Sequence, residues 1–198
     1  ENELRGRYLT PGLGHLEAAL SASESPAYWA GLVAFYRGDY ARAEQLAQQA
    51  KKASPWLPEP LRLQGDIDQL QGIALLQAGS PSQARTHLTR ASASHHAAAT
   101  IAGSDAALHT AEAIDWLYLM QLDAHDGKPL EDALAQAAAV AERATLANPA
   151  QTPLHSLRVH IYWQYVSLSQ NIIPIGELPK SYFDILSAAV PIAQKAID

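Results

Sequence analysis

Apolar residues return along this chain at intervals of three and four and almost never alternate strictly, so the pattern predicts helices and leaves no convincing strand. The punctuation agrees with the periodicity. Thr10-Pro11, Ser25-Pro26, Ser80-Pro81 and Thr152-Pro153 each precede an apolar run. A hydroxyl at the cap can accept an orphan N–H, and proline at the first helical position has no N–H to leave unpaired. Stops fall at Gly38, Gly79 and Gly127, where glycine can close the last turn left-handed, and at Pro55 and Pro149. The predicted helices run over 11–22, 26–37, 40–53, 58–78, 81–101, 105–124, 129–147, 153–170 and 179–197.

Small residues show that these helices repeat. Gly31, Gly38, Ala43 and Ala50 return as Gly72, Gly79, Ala84 and Ala91, each displaced by 41 positions. A stripe at i, i+4, i+7 reads Ala43, Ala47, Ala50, then Ala84, Leu88, Ala91, then Ala137, Ala141, Ala144, and finally Ala189, Ala193, Ala196. Side chains this small let a second helix approach closely, so each unit is expected to be an antiparallel helix pair burying its apolar face on its neighbours. The expected fold is all-α: a single domain over 1–198, built as a solenoid of about four helix pairs behind an N-terminal helix.

The first unit resembles the tetratricopeptide repeat. Gly31, Ala43, Ala50 and Pro55 fall at that motif's relative spacing, and Ala137, Ala144 and Pro149 repeat its second half. Alanines at 27, 30, 34 and 47 stand where the motif prefers larger residues, and units spaced 41, 53 and 52 residues apart exceed its usual ~34. The array is therefore read as TPR-like and divergent.

Composition removes whole classes of function. The chain carries 38 alanines in 198 residues and a net charge of −6, and Lys51-Lys52 is its only adjacent basic pair, so nucleic acid is excluded as a partner. With no cysteine there is neither a disulfide framework nor a thiolate metal site or nucleophile. The longest apolar run, Tyr28 to Tyr36, is far below the ~20 residues a spanning helix requires, so no membrane insertion is expected. The opening Glu1-Asn2-Glu3-Leu4 has no initiator Met or leader pattern, which reads as a fragment of a longer protein.

A longer resemblance covers nearly all residues from about 15 onward. The stretch Pro26-Ala27-Tyr28-Trp29-Ala30-Gly31-Leu32 with Tyr36-Arg37-Gly38-Asp39-Tyr40 is followed by Pro55-Trp56-Leu57-Pro58-Glu59-Pro60 with Gly65-Asp66, then by Ser104-Asp105 with Ala111-Glu112-Ala113. These segments resemble the TPR-like region that follows the kinase domain in a group of bacterial serine/threonine protein kinases. Departures are Gly103, where a basic residue is expected, and Ala106, where proline is expected. The resemblance implies a non-catalytic sensor or protein-interaction domain of a membrane-bound kinase, facing the periplasm and binding a protein, peptide or small ligand. The alternative is a cytoplasmic TPR scaffold that docks partner proteins.

Direct chemical signals are few. His87 and His95 share a helical face with His96 alongside, but no His-x3-His or His-Glu-x2-His occurs, so no metal or other cofactor is expected and these histidines are read as solvated or core. Glu112 and Asp115 are one turn apart on one helix; a catalytic pair works across a scissile bond, and carboxylates so placed commonly face one solvent patch or cap a neighbour. Asp66 and Asp68, at i, i+2, diverge. No phosphate-cradling loop, Gly-x-Ser-x-Gly or Ser-x2-Lys is present, so the chain itself is not read as an enzyme. The expected ligand surface is the face of the first helix in each pair, formed by Tyr28, Leu32 and Phe35, then Gln69, Ile73 and Leu76, and extending to Asp115 and Tyr118. Trp29 and Tyr40 are assigned to packing.

Overall fold

The computed structural model describes residues 10–19 and 25–172. Eight α-helices and no strand occupy these residues: α1 (Thr10–Ala19), α2 (Pro26–Tyr36), α3 (Tyr40–Ala53), α4 (Glu59–Gln77), α5 (Pro81–Ile101), α6 (Ala106–His125), α7 (Glu131–Ala147) and α8 (Thr152–Ile172). The helix expected over 179–197, with its stripe of Ala189, Ala193 and Ala196, lies outside the described residues.

Three of the turns between helices are closed in the same way. Gly38, Gly79 and Gly127 have φ of 82°, 73° and 65°, a conformation that a Cβ would strain. In each, the glycine N–H donates three residues back, to Phe35, Leu76 and Ala124, and the following N–H donates five back, to Ala34, Leu75 and Asp123. These paired bonds satisfy carbonyls that the helix end would otherwise leave bare. Helix starts are less uniform than the sequence suggests. The hydroxyls of Ser25 and Ser80 make no capping bond. Proline at the next position has already removed one of the donors such a hydroxyl would serve, and the serine backbone carbonyls accept the first-turn bonds instead. Aspartates do the side-chain capping: Asp39 accepts from the Arg42 N–H at 3.1 Å and Asp105 from the Ala107 N–H at 2.9 Å.

Each helix packs on the next in sequence, and α2, α4, α6 and α8 also touch in succession, whereas α3, α5 and α7 lie between them. The small-residue stripe is what permits this. Ala43, Ala47, Ala50, Ala84, Leu88, Ala91, Ala137, Ala141 and Ala144 are all entirely buried. The two matched glycines make the same close approach: a Cβ on Gly31 would sit 3.6 Å from the Ala43 carbonyl oxygen and 3.0 Å from Leu63, and one on Gly72 3.3 Å from the Ala84 carbonyl oxygen and 2.7 Å from Leu88. At the corresponding place before Gly127 stands Met120, fully buried, and α7 starts later after its glycine than α3 and α5 do. The local connection is longer where the side chain is larger. Replacing Ala43 or Ala84 by Leu is expected to destabilise by about 1–3 kcal/mol through overpacking, read from urea melts; neutral results at both positions would place the helix contact elsewhere.

Candidate functional site

The interior contains more polar chemistry than a packed alanine seam requires. His95, on α5, is completely buried, and so is Asp115 on α6. His95 Nδ1 donates to Asp115 Oδ2 at 2.6 Å, and its Nε2 donates to Asp66 Oδ1 on α4 at 3.2 Å. Gln69, one turn along α4 from Asp66, donates from Nε2 to the other Asp115 oxygen at 2.8 Å. Both ring nitrogens therefore face carboxylates, the arrangement of an imidazolium. Burial works to lower the His95 pKa, but the hydrogen bonds to Asp115 and Asp66 outweigh it and carry the group up to about 9. Burial pushes Asp115 above the usual carboxylate range, against the lowering effect of His95 and Gln69. Both shifts have the pair retaining its proton. Gly65 makes the space: a Cβ there would fall 2.4 Å from His95 Cδ2 and Nε2.

A second histidine links α5 to α4. His87 Nδ1 donates to Asp68 Oδ1 at 2.8 Å, and Arg90 reaches the other oxygen at 3.3 Å. Burial raises the Asp68 pKa against these partners. The divergence of Asp66 and Asp68 on α4 is thus real, and each carboxylate serves a different histidine. Neither network opens a reaction site around His95, whose ring is sealed.

The open chemistry lies one layer on, where α5 and α7 flank α6. Two adjoining cavities of about 560 Å³ and about 450 Å³ share His96 and Glu112 in their walls. Glu112 is only 4% exposed. Its Oε1 accepts from His96 Nδ1 at 3.0 Å, with the Arg143 guanidinium at 3.8 Å. Its Oε2 is buried and has no partner among the protein groups, and the same is true of His109 Nδ1 and Trp116 Nε1. His109 and Glu112 both line the larger cavity; Trp116 and Glu112 both line the smaller. His109 Nε2 donates to the Gly103 carbonyl at 3.0 Å, and in the tautomer that carries its single proton there Nδ1 is an acceptor.

The residues expected to form one ligand face are divided among several environments. Tyr28, Leu32 and Phe35 pack partly buried against a core of Ala34, Ala43, Leu46, Leu63 and Ile67. Burial, reinforced by Glu59, pushes the Tyr28 phenol up to about 12. Trp29 lies edge-on to Tyr28 at 5.4 Å and Tyr40 edge-on to Phe35 at 5.9 Å, and both are partly buried. Ile73 lines a groove beside Tyr40 and Leu70. Leu76 and Tyr118 pack on Ala84, Leu88, Leu119 and Leu122. Gln69 is held in the His95 network, and Asp115 is no surface residue: it is fully buried because His95 requires a counter-charge. Glu112 and Asp115 also do not share a patch, since one faces His96 and Arg143 and the other His95.

The His96–Glu112 and His95–Asp115 pairs escape a reading of the sequence because their members lie 16 or more residues apart on separate helices. Gly65, a glycine inside an apolar-patterned helix, is the one local sign of a close approach. Among the described residues no group of three or more His, Asp or Glu side chains converges as a metal site would need, and no helix is long and apolar enough to cross a membrane. No family model matches the chain, and no curated protein matches it.

Proposed function

We propose that the chain is a non-catalytic, TPR-like ligand-binding module that serves as the sensor or interaction domain of a bacterial membrane-bound serine/threonine kinase, facing the periplasm. The observation that carries the helical-repeat part is the pair of matched approaches, Gly31 on Ala43 and Gly72 on Ala84, separated by the same 41 residues. Two units that bury equivalent atoms through equivalent residues are what a solenoid needs, because each repeat stabilises itself only on its neighbours. The successive contacts of α2, α4, α6 and α8 favour the same reading. The kinase context follows from the resemblance of the segments around Tyr28–Tyr40, Pro55–Asp66 and Ser104–Ala113. A binding role is favoured by the cavities along α6, with their buried polar atoms lacking partners.

Sensing of this kind is a population shift: a ligand that prefers one arrangement of the array biases the attached domain toward one state. The test is made in the full-length protein. Its reading frame is expected to encode a kinase domain followed by an apolar stretch of about 20 residues ahead of this region. Removing residues 1–198 is expected to abolish the response of kinase output to ligand while sparing basal phosphorylation. An unchanged response after deletion would remove the sensor role, and a reading frame without a kinase would leave the cytoplasmic scaffold in its place.

A further inference from the structure

From the groove that α6 floors between α5 and α7, we infer a site for the α-ammonium group of an apolar amino acid, held by Glu112 Oε2 and His109 Nδ1 with Arg143 facing the adjacent carboxyl or carbonyl oxygen. Two side chains in this groove have unmet hydrogen bonds. Glu112 and His109 are each at least nine-tenths buried, stand one turn apart on α6 and line one cavity of about 560 Å³. Each contributes a buried acceptor without a protein partner. A hydrocarbon ligand would leave both acceptors desolvated and unpaired, which is costly. An anion such as phosphate would meet the carboxylate oxygen directly. An N–H-rich cation satisfies both acceptors, and a compact ammonium has three donors for them.

The rest of the wall narrows the ligand. Arg143 approaches Glu112 only to 3.8 Å, longer than a hydrogen bond, and is about half exposed, so its guanidinium fork retains donors for a ligand oxygen. A positive group seated on Glu112 next to an oxygen that accepts from Arg143 is the charge order of an α-amino acid backbone. Ala99, Ala147 and Leu146 form the apolar part of the wall, beside His96, Thr100 and Gly103, and Leu146 leaves 75% of its surface exposed. That wall suits an apolar side chain. The same α-ammonium chemistry is offered by a free amino acid and by the amino terminus of a peptide, in which the first carbonyl replaces the carboxylate.

This inference deepens the binding-module reading and depends on it only for its biological role. Binding to the isolated chain tests the site, and deletion in the full-length protein tests the module, so either can fail alone. The 198-residue chain, isotopically labelled, is titrated with L-leucine, L-leucinamide, N-acetyl-L-leucine and leucyl-glycine while the resonances of α6 and α7 are followed. L-leucine is expected to bind saturably, and acetylation, which removes the ammonium, to weaken binding at least tenfold. Glu112→Gln is expected to weaken L-leucine by about 10- to 100-fold, the usual range for losing a charged hydrogen bond. Arg143→Gln, at a half-exposed position, is expected to weaken L-leucine more than L-leucinamide. That variant keeps the test decisive if Glu112→Gln fails to fold. Leucyl-glycine binding more tightly than L-leucine would identify a peptide amino terminus as the source, and the reverse order a free amino acid. Absence of saturable shifts with both L-leucine and leucyl-glycine, or equal binding of N-acetyl-L-leucine, would overturn the assignment.

Discussion

His95→Ala is expected to destabilise the protein by about 3–5 kcal/mol, the typical cost of removing one partner of a buried ion pair. The substitution leaves Asp115 fully buried with Gln69 as its remaining side-chain donor, and it opens a cavity where the imidazole stood. A domain whose whole stability is about 5–15 kcal/mol would lose a large fraction of it. Urea melts measure the loss. The wild-type protein carries a second signature in its pH dependence. His95 is raised from 6.5 to about 9, so the folded state holds this proton more tightly than the unfolded chain does. Its contribution is fully present below about pH 6.5 and is lost as the pH rises through about 9. Stability is therefore expected to fall across that window in wild type, with a flatter profile in His95→Ala. A profile equally steep in both proteins, or a variant as stable as wild type, would exclude the imidazolium bridge. Replacing His95 and Asp115 together by apolar residues of similar volume is expected to recover most of the loss, because no charge is then stranded.

Gly65→Ala is expected to cost about 2–3 kcal/mol, against a helix-propensity gain of about 1 kcal/mol that alanine brings to an ordinary interior position. The steric effect wins because the obstructing atoms cannot retreat. The new Cβ would lie 2.4 Å from two atoms of the His95 ring, and that ring is held at 2.6 Å by Asp115 on one side and at 3.2 Å by Asp66 on the other. Any slide of the imidazole breaks one of these bonds within a sealed interior. The two positions should also be coupled. With alanine at 95 the obstruction disappears, so Gly65→Ala is expected to be far less harmful in the His95→Ala background than in wild type. A double-mutant cycle by chemical denaturation reads this directly, and additive effects would show that the glycine does not serve the histidine.

What was legible in the sequence was local or periodic. The glycines at 38, 79 and 127 announced helix ends because only a residue without Cβ closes such a turn cheaply, and all three adopt positive φ. The stripes beginning at Ala43, Ala84 and Ala137 announced a close helix contact because a 3.6-residue period places them on one side, and every member is buried. The hydroxyl caps were misjudged at Ser25 and Ser80, since a cap is decided by side-chain geometry as well as residue type.

The polar interior was decided only by tertiary structure. Nothing in the spacing of Asp66, His95 and Asp115 marks them as partners: they stand on three helices, and each residue alone is an ordinary surface type. The helix-pair packing brings them together by turning their faces inward, and burial then forces them to pair, because a desolvated charge without a partner is too costly to keep. The same holds for Glu112. One turn from Asp115 along α6, it would share a solvent patch if the helix were isolated; packing between α5 and α7 instead gives it His96, Arg143 and a cavity, while Asp115 meets α4 and α5. Sequence by itself determined that the chain is helical and where its helices touch, since those follow from backbone sterics and period. The chemistry held between the helices depended on which faces met, a relation between distant residues that no local pattern encodes.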